Sequence, residues 1–134
     1  MSKAIIYGKR EDKIKKIIEA LKIFGFECVS LSSLEDIIHS IEVDEISVIV
    51  VEESENSKEI IQTLRNLPMY KRRNLFIALW GDTLPTMDRF LAFKEGFDLL
   101  VNSKHIDNFS LYFKRSYSEY QNLYKAFKEL AAKY

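Results

Sequence analysis

The chain has 134 residues, 47% hydrophobic and 30% charged, a composition that suits one soluble domain with a buried core. Its 20 basic and 20 acidic residues cancel, so no overall field draws it onto nucleic acid or an anionic membrane, and only a local patch could do so. A single cysteine, Cys28, excludes an internal disulfide and a thiol cluster; it reads as a small core residue in a reducing cytoplasm. MSKAIIYGKRED carries no apolar signal stretch, and no apolar run approaches the roughly 20 residues that span a bilayer, so the expected location is cytoplasmic.

KAIIYG (3–8) is a short β-branched run, followed by Ile14, Ile17, Ile18, Leu21 and Phe24 at helical spacing up to Gly25. FECVSL (26–31) is a second strand. Ser32 and Glu35 then have capping-box spacing ahead of a helix with Leu34, Ile37, Ile38 and Ile41 on one face. EISVIVV (45–51) is too continuously apolar to have one face in water and belongs at the centre of a parallel sheet. Helix three carries Ile60, Ile61, Leu64 and Leu67, with Asn56 or Ser57 as its cap and Pro68 as its end. NLFIALW (74–80) is strand four. A fourth helix, capped by Thr83 or Thr86 and with Leu84, Met87, Phe90 and Leu91 inward, runs to Gly96. DLLVN (98–102) is strand five, and a last helix without glycine or proline occupies about 107–133.

Five β-α units with short connections and right-handed crossovers give an α/β fold: a doubly wound, five-stranded parallel sheet between two helical layers, expected in the order 2-1-3-4-5. The expected organisation is one domain over residues 1–134, with the last helix able to extend beyond it. In such sheets chemistry sits at the carboxyl ends of strands one, three and four. YGKRED (7–12), with one glycine and no serine or threonine, does not make a flavin phosphate loop. The chain has neither GxGxxG nor GxxxxGK[ST], so dinucleotide and nucleoside-triphosphate cradles have no support.

At this edge IIYGK places Gly8 and Lys9, SVIVVE places Glu52 followed by Glu53, strand four ends in Leu79, Trp80 and Gly81, and DLLVNS ends strand five in Asn102 and Ser103. Element order, size and edge together resemble the response-regulator receiver family, over essentially the whole chain in architecture and weakly in motif. That resemblance implies an acidic pair after strand one, a phosphoacceptor aspartate ending strand three, Mg²⁺ between them, a Thr or Ser ending strand four and a Lys ending strand five. Gly8 and Lys9 stand in place of the acidic pair and Glu52 in place of the acceptor. Trp80 takes the place of the hydroxyl, and Asn102, or Ser103 in a shifted register, that of the lysine. The strand-five aromatic has become Leu99 or Leu100. The chain is therefore similar to a divergent, or pseudo-, receiver.

Each missing compensating charge at about 4 Å is worth on the order of 4 kcal/mol at an effective dielectric near 20. Phosphoryl transfer is mainly positioning and electrostatic stabilisation, so such an edge should not turn over, and neither catalysis nor a cofactor is expected. Glu52 has two readings: a permanent carboxylate that imitates a charged state, or a solvated strand end. Glu11, Asp12, Glu52, Glu53 and Asp82 share the edge and have the oxygen ligands of a divalent-cation site, but Glu11 and Asp12 also suit the first turn of a helix. No specific metal site is expected. His39 and His105 have no spacing partners and read as surface residues.

Three surfaces remain. Lys71-Arg72-Arg73 reads as a solvated basic turn rather than a phosphate grip. The fourth helix carries Met87, Phe90 and Phe93, part core and part candidate interface; by resemblance, the face of helix four, strand five and helix five is a partner and dimer surface. The last helix repeats aromatics at four- and three-residue steps, including Tyr117, Tyr120, Tyr124, Phe127 and Tyr134. At about 1.5 Å per residue it is longer than so small a sheet requires, so the surplus from about Tyr120 is expected to meet a partner or a second copy. The function expected is a phosphorylation-independent signalling or scaffold module acting through protein partners. The alternative is a domain, or minimal enzyme, that responds to a small ligand or divalent metal at the acidic edge.

Overall fold

Alternation within each strand divides the core in two, because successive side chains of a strand leave opposite faces of the sheet. In the computed structural model, which describes residues 2–133 and the side chains of all but Phe127, Lys128 and 131–133, five strands form one parallel sheet in the order 2-1-3-4-5. They are β1 (Lys3–Tyr7), β2 (Glu27–Ser30), β3 (Ile46–Glu52), β4 (Phe76–Gly81) and β5 (Leu99–Asn102). Val48, Val50, Phe76, Ala78 and Trp80 point to the face covered by α1 (Glu11–Ile23) and α6 (Phe109–Lys133). Ile49, Val51, Ile77 and Leu79 point to the face covered by α2 (Leu34–Val43), α3 (Lys58–Arg65) and α5 (Arg89–Glu95). Every strand of the expected topology is present, and β3, with six of its seven residues buried, is central.

Several local expectations change, among them the cap of α2, which is Ser33, accepting from Asp36 N at 3.1 Å, in place of the Ser32–Glu35 box. The fourth helix begins later, at Arg89, capped by Asp88, whose side chain accepts from Leu91 N at 2.9 Å. Residues 82–88 form a strap instead. Pro85 has no N–H to continue a helical ladder, and Met87 takes a left-handed φ of 61° while its own N–H bonds to Leu100 O at 2.9 Å, on the outer edge of β5. Thr86 is therefore no helix cap. Phe90, expected inward, is exposed: Leu91 and Ala92 pack toward the sheet, which leaves Phe90 on the solvent side with Phe93.

Helix three is preceded by a 3-10 turn, Glu55–Ser57, in which Ser57 Oγ accepts from Ser54 N and donates to Ser54 O. It ends at Arg65, before Pro68. The basic turn is then a one-turn helix, α4 (Met69–Arg72). Arg72 is not solvated there: its guanidinium donates to Leu75 O, Gly96 O and Asp98. Asp98 in turn accepts from Ile77 N, tying α4 to the start of β4 and β5. Burial raises the Asp98 carboxyl above its usual range, partly offset by Arg72.

The last helix starts at Phe109 after a 3-10 segment, Ser103–Asn108. Phe109 and Phe113 are buried, each contributing about 1.5–3 kcal/mol of apolar burial. Phe113 meets Phe26 and Phe76 edge-on. Contact with the body continues past Tyr120, contrary to expectation, because the turn between α4 and β4 lies beside the helix: Tyr120 Oη donates to Arg73 O at 2.6 Å, and Tyr124 Oη bonds the Asn74 side chain. Burial pushes the Tyr120 phenol well above its ordinary value.

Candidate functional site

The parallel register brings the strand ends into line: Tyr7 opposite Val51, Glu52 opposite Trp80, and Gly81 opposite Asn102. Glu52 closes β3 and is buried, so the solvated reading is corrected. A buried carboxylate must be paired and hydrogen-bonded to persist. Its Oε1 accepts from two successive backbone N–H groups, Lys9 N at 2.8 Å and Arg10 N at 3.2 Å. Its Oε2 accepts from Arg10 Nε at 2.7 Å. The loop after β1 thus turns a small concavity of amides onto the protein's own carboxylate.

Arg10 organises the edge. Nη1 donates to Asp82 Oδ1 at 2.8 Å and Nη2 to Ser103 Oγ at 2.9 Å, while the guanidinium carbon lies 4.7 Å from the Trp80 ring centroid. One planar cation therefore joins the loop after β1, the end of β3, the strap after β4 and the turn after β5, and stacks on an aromatic floor. The hydrogen bond to Asp82 is the main cause that raises the Arg10 pKa above its ordinary value, with Glu52 adding to it against a desolvation cost. Reciprocally, the bond from Arg10 and then the Ser103 hydroxyl hold the Asp82 carboxyl below its usual range.

Gly8 is needed where it stands. A Cβ there would lie 2.9 Å from Glu52 Oε1 and 3.1 Å from both Glu52 Cβ and Ile14 Cδ1. Lys9 contributes its backbone N–H to the site while its side chain is exposed. Trp80 is fully buried, and its Nε1 has no hydrogen-bond partner among the described residues. Asn102 clamps the strap: Nδ2 donates to Asp82 O at 3.1 Å and to Leu84 O at 2.8 Å, while Oδ1 accepts from Lys104 N. Its backbone N–H donates to Thr86 Oγ1, which also meets His105 Nδ1, so His105 is bonded as well as exposed. Glu53 turns outward and accepts from Thr83 Oγ1. Glu11 and Asp12 sit exposed in the first turn of α1. Of the five acidic residues of the edge, Glu52 and Asp82 thus share Arg10 and Glu53 accepts from Thr83, and among the described residues no three His, Cys, Asp or Glu side chains converge as a cation site.

The sequence matches no protein-family model and no curated protein. Among solved structures the chain is similar to a CheY-like protein (tadZ) from Pseudomonas aeruginosa PAO1, with a TM-score of 0.64 and 14% identity over 87% of this chain and 99% of that one. It is also similar to a response regulator receiver domain protein from Clostridium thermocellum, with a TM-score of 0.64 and 16% identity over 92% of this chain and 99% of that one. The fold is a receiver fold. Identities this low carry the fold, and the chemistry of this receiver-like edge rests on its own residues.

Arg10 is the residue that sequence reasoning missed, and Ser103 the one it held only as a register alternative. A signal for Arg10 existed: a glutamate ending a wholly apolar central strand needs a counter-charge, and Lys9-Arg10 are the first cations after the adjacent strand. Of the candidate interface residues, Phe90 and Phe93 are 80% and 86% exposed. Met87, Tyr117 and Tyr120 instead pack against the core shared by α1 and α6, and Tyr124 is half-buried. The side chain of Phe127 and the whole of Tyr134 lie outside the described residues.

Proposed function

We propose that the chain is a single receiver-like signalling or scaffold module, non-catalytic and independent of phosphorylation, that acts by binding a protein partner. The observation that carries this reading is the Arg10 guanidinium on Glu52. An acceptor carboxylate must be free to attack a phosphoryl group and must share a divalent cation with neighbouring carboxylates. Here both oxygens of Glu52 are taken, one by amides and one by an arginine that also engages Asp82. A tethered cation fills the electrostatic role that a metal and a lysine would share, and the carboxylate presents no free charge to mimic a phosphate.

With the edge closed, recognition falls to the surface of α5. Phe90 and Phe93 share one turn of that helix and both project into solvent. Paired exposed phenylalanines are the kind of patch that marks a protein contact. The neutral overall charge supplies no general attraction to nucleic acid or to an anionic membrane, and among the described residues no helix is long and apolar enough to cross one. The cytoplasm suits such a module.

The competing reading, a metal- or ligand-responsive edge, is separated by titrating the chain with Mg²⁺ and following Trp80, its one tryptophan, which lies beneath Arg10. The closed edge predicts no saturable change in emission. A saturable change that Glu52→Gln abolishes would favour the metal-responsive reading.

A further inference from the structure

The two outer edges of the sheet are finished differently. Along β5 the strap occupies the edge, with Met87 N–H on Leu100 O and Thr86 Oγ1 accepting from Asn102 N. β2 is the last strand on the other side. Glu27 N and Leu31 N donate to Ser2 O and Ile6 O, toward β1, so by the alternation of a strand Cys28 and Ser30 turn their N–H and C=O groups outward. Among the described residues nothing bonds those groups. Proteins blunt an open edge with a proline, a lysine or a covering segment, and β2, ECVS, has none of these. The group that matches such a ladder is the extended main chain of another strand.

α1 decides whose strand it is. Beside the edge runs a groove of about 470 Å³, lined by Ile14 and Ile18 and bordered on α1 by Glu11, Lys15, Glu19 and Lys22. All four charged residues are exposed. None forms an ion pair with a described residue, although they stand at the three- and four-residue steps that allow pairing within a helix. Their signs alternate, so the row complements its own reverse: a twofold axis at the level of Ile17 sets Glu11 against Lys22 and Lys15 against Glu19. The axis that β2 requires falls at the same height. Antiparallel pairing about Val29 lets Cys28 exchange both main-chain bonds with Ser30 of the second copy, and sets Glu27 against Leu31 rather than against a like charge. Cys28 Sγ lies 4.0 Å from Ile18 O, so the middle of the strand is level with the middle of the helix. One isologous contact therefore satisfies both elements. A foreign strand would satisfy the ladder and leave the row on α1 unmatched.

We infer that two copies of the chain join through β2, antiparallel about Val29, with α1 against α1 across the same axis, so that two sheets become one. The contact uses the edge opposite β5 and stands apart from Phe90 and Phe93 on α5.

The test is sedimentation of the full chain. The wild type should dimerise with rising concentration. Lys15→Glu with Lys22→Glu makes the row wholly acidic, and Glu11→Lys with Glu19→Lys makes it wholly basic. Each of these chains alone should be monomeric, and an equal mixture of the two should form a heterodimer. A monomeric wild type, a variant that dimerises alone as well as the wild type does, or a mixture that stays monomeric overturns the proposal. Ser30→Pro removes an outward N–H and leaves the bonds to β1 in place, so it should abolish the dimer with Trp80 emission unchanged, and a dimer that persists overturns the proposal too. In a Cys28→Ser background, Val29→Cys at the axis should form a covalent dimer under mild oxidation several times faster than Glu59→Cys, exposed on α3. Equal rates overturn it. Capture of a partner protein through Phe90 and Phe93 by a chain that does not dimerise would sink this inference and leave the interaction-module reading standing.

Discussion

Arg10 Nε donates to Glu52 Oε2 at 2.7 Å, from a side chain 34% exposed to one 8% exposed. The pair joins residues 42 apart in sequence, so it closes the edge only once β1 and β3 lie side by side. Half in water and half out, it lies between a surface ion pair, worth little, and a buried one, whose rupture leaves a stranded charge.

Removing the cation alone should therefore be worse than removing the pair. Arg10→Ala leaves Glu52 with its two amides and no counter-charge, and should destabilise the chain by about 2 kcal/mol after discounting for the exposure of the arginine. Adding Glu52→Leu should recover part of that loss. Urea unfolding of the two single variants and the double variant measures the coupling, and additive losses would show that the pair contributes no interaction energy.

Gly8→Ala places a methyl group against a carboxylate held by three hydrogen bonds and against Ile14. Glu52 cannot withdraw without leaving those donors unsatisfied, so the expected cost is about 1–3 kcal/mol. The same substitution in a Glu52→Ala background should cost less, because Oε1, the nearest of the three obstructing atoms, is gone while the Cβ at position 52 and Ile14 Cδ1 remain. Thermal denaturation of the four chains reads the difference.

Stability should fall at both ends of the pH range, for different residues. The Asp82 carboxyl is depressed by Arg10, so its contribution is fully present above the unfolded value of about 3.9 and is lost as pH falls through the folded value. Asp107 beside Lys16 acts in the same window, so Asp82→Asn should flatten only part of the acid limb. The Tyr120 phenol is raised by burial. Its contribution is present below about pH 10 and is lost as pH rises beyond that, because the unfolded chain then ionises while the folded one does not. Tyr117, raised by burial, and Lys16, raised by its bond to Asp107, act in the same direction. Tyr120→Phe should therefore flatten only part of the alkaline limb while costing about 1 kcal/mol at neutral pH for the lost bond to Arg73 O. Unfolding free energies measured across pH check both signs.

Phe90→Ser and Phe93→Ser remove exposed side chains and should leave stability within about 0.5 kcal/mol. They should nevertheless abolish capture of a partner protein in a pull-down, whereas Lys94→Ser, exposed on the same helix, should not. Capture unaffected by both phenylalanine substitutions would move the contact surface off α5.

The sheet was legible because β3 and β4 are apolar on both faces and the helices announce themselves by three- and four-residue steps. Those patterns depend only on local chain geometry. Gly8, Lys9, Glu52, Trp80 and Asn102 were expected at one edge because each stands at the carboxyl end of a strand, and the parallel register brings those ends into line. Arg10 was not, because its role arises from three partners separated from it by 42, 72 and 93 residues, and no periodicity reports a side chain that reaches across strand ends. The strap escaped for a related reason. Thr83 and Thr86 have the chemistry of helix caps, but Asn102 and the edge of β5 compete for the same backbone and prevail. Helical spacing likewise placed aromatics along α6 without showing that the turn after α4 would meet Tyr120 and Tyr124.

The closed edge is tested most directly by incubating the full chain with Mg²⁺ and acetyl phosphate and measuring its intact mass, with the hydroxylamine lability that marks an acyl phosphate as control. The Arg10–Glu52 pair predicts an unmodified mass at every donor concentration. A stoichiometric acyl phosphate that is lost in Glu52→Gln would contradict it.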